Sequence, residues 1–267
     1  MYGSQASQLF DEVRIKRPLI HHITNYVTVN DCANVAICTG AAPVMADAQE
    51  EMEAMVSISS ALVLNIGTLN ERVVDSMLLA GRAANKKGIP VIVDPVGAGA
   101  TAYRTKTVEL LLDELKVSIL KGNAGEIATM AGSEAKVVGV DSHGFHGNPL
   151  RICQEFASLL NCTVVMTGPQ DIISDGKEVY TVDNGHVMME SISGTGCMAS
   201  TVVAAFATVC KDKALSSAAA LSVFGLAGEK ASLNSLGPMS FKYALFDNLA
   251  AMKSEDLRTG ARIRRVG

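Results

Sequence analysis

Reactive chemistry in this sequence concentrates in the pentapeptide Ser193-Gly194-Thr195-Gly196-Cys197. Glycines on either side of Thr195 let successive backbone N–H groups turn toward one point, and the apolar run 198–210 that follows reads as a buried helix. The first N–H groups of a helix have no partner inside it, and the helix dipole favours negative charge at that end. The segment therefore predicts an anion cradle suited to a phosphate, made by Gly194, Thr195, Gly196 and Cys197. The thiol of Cys197 stands at its edge as a candidate nucleophile or base.

A second set of residues follows four short β-branched runs, at 61–64, 89–93, 117–120 and 163–166. In an open parallel sheet, ligands bind beyond the carboxyl ends of the strands, so the residues just after each run are candidates for the site. They are Asn65 and Gly67, then Asp94 within Asp-Pro-Val-Gly-Ala, then Lys121 and Glu126, then Thr167 and Gly168. Taken singly, each has a plain structural reading: Asp94 as a turn cap before proline, Glu126 as an exposed early-helix residue, Lys121 as a surface charge, Thr167 as a turn residue. Taken in succession at strand ends they describe one crevice, and the carboxylates of Asp94 and Glu126 beside a phosphate cradle suit Mg²⁺, a hard ion that takes oxygen ligands. Neither GxxxxGK[ST] nor GxGxxG after the first strand occurs, so a bound nucleotide would need another kind of site.

Helix-length segments at 71–87, 103–115 and 149–160 separate the runs, and this alternation predicts an α/β fold with a mostly parallel central sheet flanked by helices on both faces. Asp175-Gly176 predicts a tight turn between strands at 171–174 and 177–182. Beyond the cradle, helices are expected at 197–210, 214–235 and 240–254. The stretch 135–148, with three glycines and two histidines, reads as a mobile loop. No linker divides the chain, which reads as a single domain over residues 1–267.

Composition narrows the function class. With 267 residues, 48% of them hydrophobic, the chain can bury a large core. A net charge of −4 with no basic run speaks against nucleic acid as a partner. The longest apolar run is too short to span a bilayer. Six cysteines without CxxC pairing predict reduced thiols rather than zinc ligands or disulfides, and hence a cytoplasmic protein.

These residues resemble a known family. Asn123-Ala124-Gly125-Glu126 is similar to the magnesium-associated NxxE motif of ribokinase-like kinases, and Gly194-Thr195-Gly196-Cys197 to their GxGD anion hole with Cys in place of Asp. The stretch His21-His22-Ile23-Thr24-Asn25-Tyr26-Val27-Thr28-Val29-Asn30, with Pro43-Val44-Met45 and Asp94-Pro95-Val96-Gly97-Ala98, resembles the hydroxyethylthiazole kinase family. The resemblance implies a ribokinase-like fold and ATP-dependent phosphorylation of the hydroxyl of 4-methyl-5-(2-hydroxyethyl)thiazole in thiamine salvage. It further implies a thiazole site at Asn25, Val27, Met45, Gly67 and Gly194, ATP contacts at Lys121, Thr167 and Gly168, Mg²⁺ near Asp94 and Glu126, and a homotrimer with sites between subunits. His21 and His22 are expected to be structural. Cys197 is expected to assist as a weak base whose pKa the helix N-terminus lowers. Alternatives are a hydroxymethylpyrimidine kinase, a nucleotide-dependent NAD(P)H-hydrate dehydratase of the same superfamily, and a non-catalytic thiazole or nucleotide sensor.

Overall fold

Strand alternation sets the architecture, because successive side chains on a strand face opposite sides of a sheet. Ile20, Ala61, Val63, Ile92, Ile119 and Val165 face one side, while Leu62, Leu64, Val91, Val93, Leu120 and Val164 face the other. Both sets are buried, so both faces must be covered by helices. The computed structural model describes residues 2–137 and 148–267 and has this arrangement. Most of the stretch expected to be a mobile loop lies outside the described residues.

The chain opens with α1 (Tyr2–Lys16), β1 (Leu19–Ile23), α2 (Val29–Thr39), β2 (Ala42–Met45) and α3 (Met52–Ile58). The βα alternation continues through β3 (Ala61–Asn65), α4 (Glu71–Lys87), β4 (Val91–Asp94), α5 (Ala102–Glu114), β5 (Ile119–Asn123), α6 (Ala124–Val137), α7 (Pro149–Leu160) and β6 (Thr163–Thr167). The hairpin β7 (Asp171–Ser174) and β8 (Val179–Val182) follows. Next come α8 (Thr195–Ala207), α9 (Lys213–Ser232), α10 (Pro238–Ala251), α11 (Ser254–Gly260) and β9 (Ile263–Arg265). The nine strands of the described residues join one sheet in the order β2-β1-β3-β4-β5-β6-β7-β8-β9. The pairings from β2 to β6 are parallel and those from β6 to β9 antiparallel.

Parallel neighbours all end on the same edge, which gathers the site residues there. Strand ends fall later than the sequence runs suggest: Asn65, Asp94 and Thr167 are the last residues of β3, β4 and β6, and Lys121 lies inside β5. Helix α8 starts at Thr195, two residues before the expected start, so the cradle is itself the first turn. Pro238, which lacks an N–H to leave unpaired, opens α10.

Helices α8 and α9 are apolar nearly all round because they lie in the covering layer over the sheet, with α1, α2 and α10 packed on them. Phe206 of α8 is fully buried and stacks on Phe10 of α1 with ring centroids 6.2 Å apart. Phe206→Ala leaves a cavity in that layer and is expected to cost about 3–5 kcal/mol. Urea unfolding followed by circular dichroism measures it, and a loss below about 1 kcal/mol would contradict this packing account.

Candidate active site

Three strand ends bring together a chain of side-chain amides. Asn65 pairs in register with Asp94 across β3 and β4. Its Nδ2 donates to Asp94 Oδ2 at 2.8 Å, and its Oδ1 accepts from Asn25 Nδ2 at 2.9 Å and from the Gly67 N–H at 2.9 Å. Asn25, just past β1, in turn accepts from the N–H and the hydroxyl of Thr28, both at 3.0 Å. Gly67 lies so close to Asn25 that a Cβ there would come within 2.8 Å of Asn25 Cβ.

The start of α8 sits over this chain. Gly194 caps the helix in the left-handed region at φ +91°, and a Cβ there would meet Thr28 Cγ2 at 2.4 Å, so the position admits only glycine. Three residues on, Cys197 Sγ lies 3.2 Å from Asn65 Nδ2 and 3.4 Å from Asn25 Nδ2. One turn further, Ser200 donates to Asp94 Oδ2 at 2.7 Å. From below, Lys121 Nζ donates to the Gly196 carbonyl at 2.9 Å and stands 3.9 Å from Asp94 Oδ2. Both members of that ion pair are almost wholly buried, with side-chain exposures of 3% and 2%. Lys121 is therefore no surface charge, and the Asp94 side chain does not cap the turn after it.

Burial raises the Cys197 thiol above its ordinary range, and the negative charge of Asp94 adds to the effect. The Thr28 hydroxyl, Lys121 and Asn65 pull the other way without prevailing. This corrects the expectation of a lowered value, because desolvation of the thiolate outweighs the helix terminus. Cys32, buried nearby, is pushed up to about 12 by the same cause. All six cysteines are free thiols. His22 is wholly buried, between the Ile20 carbonyl and the Thr201 hydroxyl, and desolvation takes it down to about 4. His21 Nε2 lies 2.9 Å from the Ala46 carbonyl.

On the other side of the cradle a cavity of about 600 Å³ opens, with Thr195 and Gly196 in its wall beside Asn123, Thr167 and Gly168. Leu221 and Phe224 supply an apolar lining. Glu126 borders this region but clamps backbone: its two oxygens accept from the N–H groups of Gly97 and Asn123, both at 2.8 Å, and Asn123 Oδ1 accepts from the Glu126 N–H at 2.9 Å. That reciprocal pair caps α6. Among the described residues no group of three or more His, Cys, Asp or Glu could hold a metal ion. The donors are instead two separate carboxylates beside a phosphate-sized cradle. They fit a Mg²⁺ that keeps its waters and takes phosphate oxygens, and do not fit an all-protein cage.

Val27 is exposed on the loop after β1, and Met45 ends the edge strand β2 in register with His22. Neither joins the hydrogen-bonded network. Sequence reasoning noted Asn65 at a strand end without giving it a role and passed over Ser200 and Asp171. Ser200 was signalled by its helical spacing from Cys197, three residues along the same face.

The chain is similar to known proteins at the level of family and fold. The model for "HK: Hydroxyethylthiazole kinase family" matches residues 10–255. The chain is 56% identical over 264 residues to a hydroxyethylthiazole kinase of Methanocella arvoryzae, covering 99% of each. It is similar to the solved structure of a hydroxyethylthiazole kinase protein from Pyrococcus horikoshii OT3, with TM-score 0.91 and 38% identity over 98% of this chain and 99% of that one. A ribokinase-like superfamily protein from Enterococcus faecalis shares the fold at TM-score 0.62 and 15% identity, over 88% of this chain and 87% of that one.

Asp171, in the cavity wall, carries a testable electrostatic signature. Burial pushes its carboxyl up from 3.8 to about 7, helped by Asp183 and opposed by the Gly168 N–H and Lys121. The folded protein thus holds this proton to higher pH than the unfolded chain, so the associated stability is full below about 3.8 and lost as pH rises through about 7. Asp171→Asn should be more stable than the parent near pH 8, with the gap closing toward pH 4, as read from urea midpoints across that range. An unchanged gap would refute the assignment.

Proposed function

The chain belongs to the hydroxyethylthiazole kinase family, and on that footing we propose that it transfers the γ-phosphoryl group of ATP to the hydroxyl of 4-methyl-5-(2-hydroxyethyl)thiazole, within one domain spanning residues 1–267. The observation that carries this reading is the location of Cys197: it heads an anion cradle with a nucleotide-sized cavity on one side and the Asn25–Asn65 amide chain on the other. Acceptor and donor would meet across the first turn of α8.

In this reading the thiazole alcohol binds on the side of Asn25, Val27, Met45, Gly67 and Gly194. Thr167 and Gly168, in the cavity wall, hold ATP together with Lys121, which stands behind the cradle. Phosphoryl transfer asks the protein mainly for positioning and charge stabilisation. Backbone N–H groups of Gly194, Thr195, Gly196 and Cys197 supply donors to the transferred oxygens, with the positive end of α8 behind them. The alcohol oxygen forms its bond to the γ-phosphorus as the bond to the bridging oxygen breaks, and ADP leaves with that electron pair. The alcohol proton leaves late, to the transferred phosphoryl oxygens or to water, with the minor thiolate form of Cys197 as the base that assists.

Asp94 and Glu126 would hold Mg²⁺, Glu126 through water because each of its oxygens already takes a backbone N–H. When bound, the ion neutralises phosphate charge. A raised thiol pKa makes Cys197 a neutral group at pH 7, and a loose transition state, in which the alcohol keeps its proton until late, needs little more from it.

A homotrimer fits the same loop. Tyr26 and Val27, next to Asn25, are 79% and 62% exposed, an apolar pair beside the acceptor pocket that a neighbouring subunit would cover. Among the described residues no helix is long and apolar enough to cross a membrane. Six free thiols support a cytoplasmic protein.

An ATP-consumption screen with thiazole alcohol, hydroxymethylpyrimidine and hydrated nicotinamide cofactor tests the reaction. Turnover with the thiazole alcohol is expected, and failure with every alcohol would overturn it. Cys197→Asp should match or exceed the parent rate, while Cys197→Ala should lose less than the roughly 10²–10⁴-fold that general-base assistance can supply. An Asp variant that loses most activity would refute the base role. Light scattering on the eluting protein should give three times the chain mass, and a monomer that is fully active would remove the shared-site reading.

A further inference from the structure

We propose that Asn65 is a positioning residue for the transfer: its carboxamide fixes the Asp94 carboxylate, the Cys197 sulfur and the acceptor loop relative to one another. The proposal rests on the kinase reading of the site above. A carboxamide offers two N–H donors and an oxygen with two lone pairs, and in Asn65 all four are committed. Nδ2 serves Asp94 Oδ2 at 2.8 Å and Cys197 Sγ at 3.2 Å, while Oδ1 serves Asn25 Nδ2 and the Gly67 N–H, both at 2.9 Å.

The partners also determine which way the amide faces. Turned over, its NH₂ would point at two other N–H groups and its oxygen at the Asp94 carboxylate, so three of its four contacts would become like against like. The residue is 2% exposed, which makes each of those mismatches costly. Its backbone is held by the β3–β4 pairing in register with Asp94, so the amide starts from a rigid element. Ser200 adds a second donor to the same Asp94 oxygen, and together the two fix the carboxylate plane.

No other residue type does all of this. An aspartate keeps the acceptor for Asn25 and Gly67 but has nothing to donate to Asp94 or Cys197. An alanine leaves the Gly67 N–H and Asn25 without that acceptor. Misplacing reacting groups by about 1 Å costs on the order of 10²-fold in rate. Asn65 does not line the nucleotide cavity, so the loss should fall on turnover and not on ATP binding.

The test is steady-state kinetics of Asn65→Asp and Asn65→Ala with ATP and the thiazole alcohol, alongside calorimetric ATP binding as a measure of the folded site. Either variant should lose roughly 10²-fold in kcat, with the KM and Kd for ATP within about threefold of the parent. If Asn65→Asp does not fold, Asn65→Ala and the still smaller change Asn65→Ser carry the same expectation. A folded variant with kcat within about threefold of the parent overturns the proposal, and so does an equal loss in kcat and ATP affinity, which marks general damage. Parent enzyme that phosphorylates no acceptor would bring down the kinase reading and this proposal together. Active parent with unaffected variants brings down this proposal alone.

Discussion

An ammonium group inside the sheet is the constraint on which the rest of the site depends. Lys121 lies within β5, almost fully out of water, and an isolated charge there would be far too costly. Two groups offset it: the Asp94 carboxylate at the end of the neighbouring strand and the carbonyl of Gly196. The second exists only because the chain turns left-handed at Gly194 and begins a helix directly above the strand ends. The charge in the sheet and the turn at the cradle therefore require each other. Removing Lys121 would leave Asp94 as an uncompensated buried carboxylate, which is costlier than losing the attraction alone.

From that pair the dependence runs outward without a gap. Asp94 takes hydrogen bonds from Asn65 and Ser200, Asn65 from Asn25, and Asn25 from Thr28, whose methyl packs where a side chain at Gly194 would otherwise stand. The circuit returns to its starting point through the first turn of α8. A site built this way needs little from flexible loops. Its donors lie at the ends of paired strands and at a helix start whose location is set by packing on both faces of the sheet.

Much of this was legible in the sequence, for a physical reason. Strands buried on both faces are continuous apolar runs, so β3 to β6 announce themselves, and the polar residues that end them are the ones at the ligand edge. The glycines around Thr195 were readable because only such a turn needs them. The N-terminal elements were harder. In α1 only Ala6, Ser7, Phe10 and Val13 are buried, and Gln and Asp residues between them blur the helical period. The edge strand β2 is four residues long with a proline second, which gives no alternation to detect. The pKa of Cys197 was misjudged because a helix terminus can be read from sequence whereas depth of burial cannot. The four-way use of Asn65 depends on neighbours brought together from distant segments, and no local pattern encodes it; for Ser200 the only local signal is its spacing from Cys197.

The cysteine in the anion hole follows from the same network. The Nδ2 of Asn65 reaches both Asp94 Oδ2 and Cys197 Sγ. A carboxylate at position 197 would be a stronger base, but it would set two like charges around one amide, with Lys121 as the cation beneath them, and like charges at such range disfavour joint ionisation. A thiol that stays neutral avoids that conflict and leaves Asp94 paired with Lys121. Its weakness as a base matters little where the backbone donors of α8 carry the developing charge. Base strength and electrostatic compatibility thus pull in opposite directions at this position, and the thiol sits on the side that keeps the buried ion pair intact.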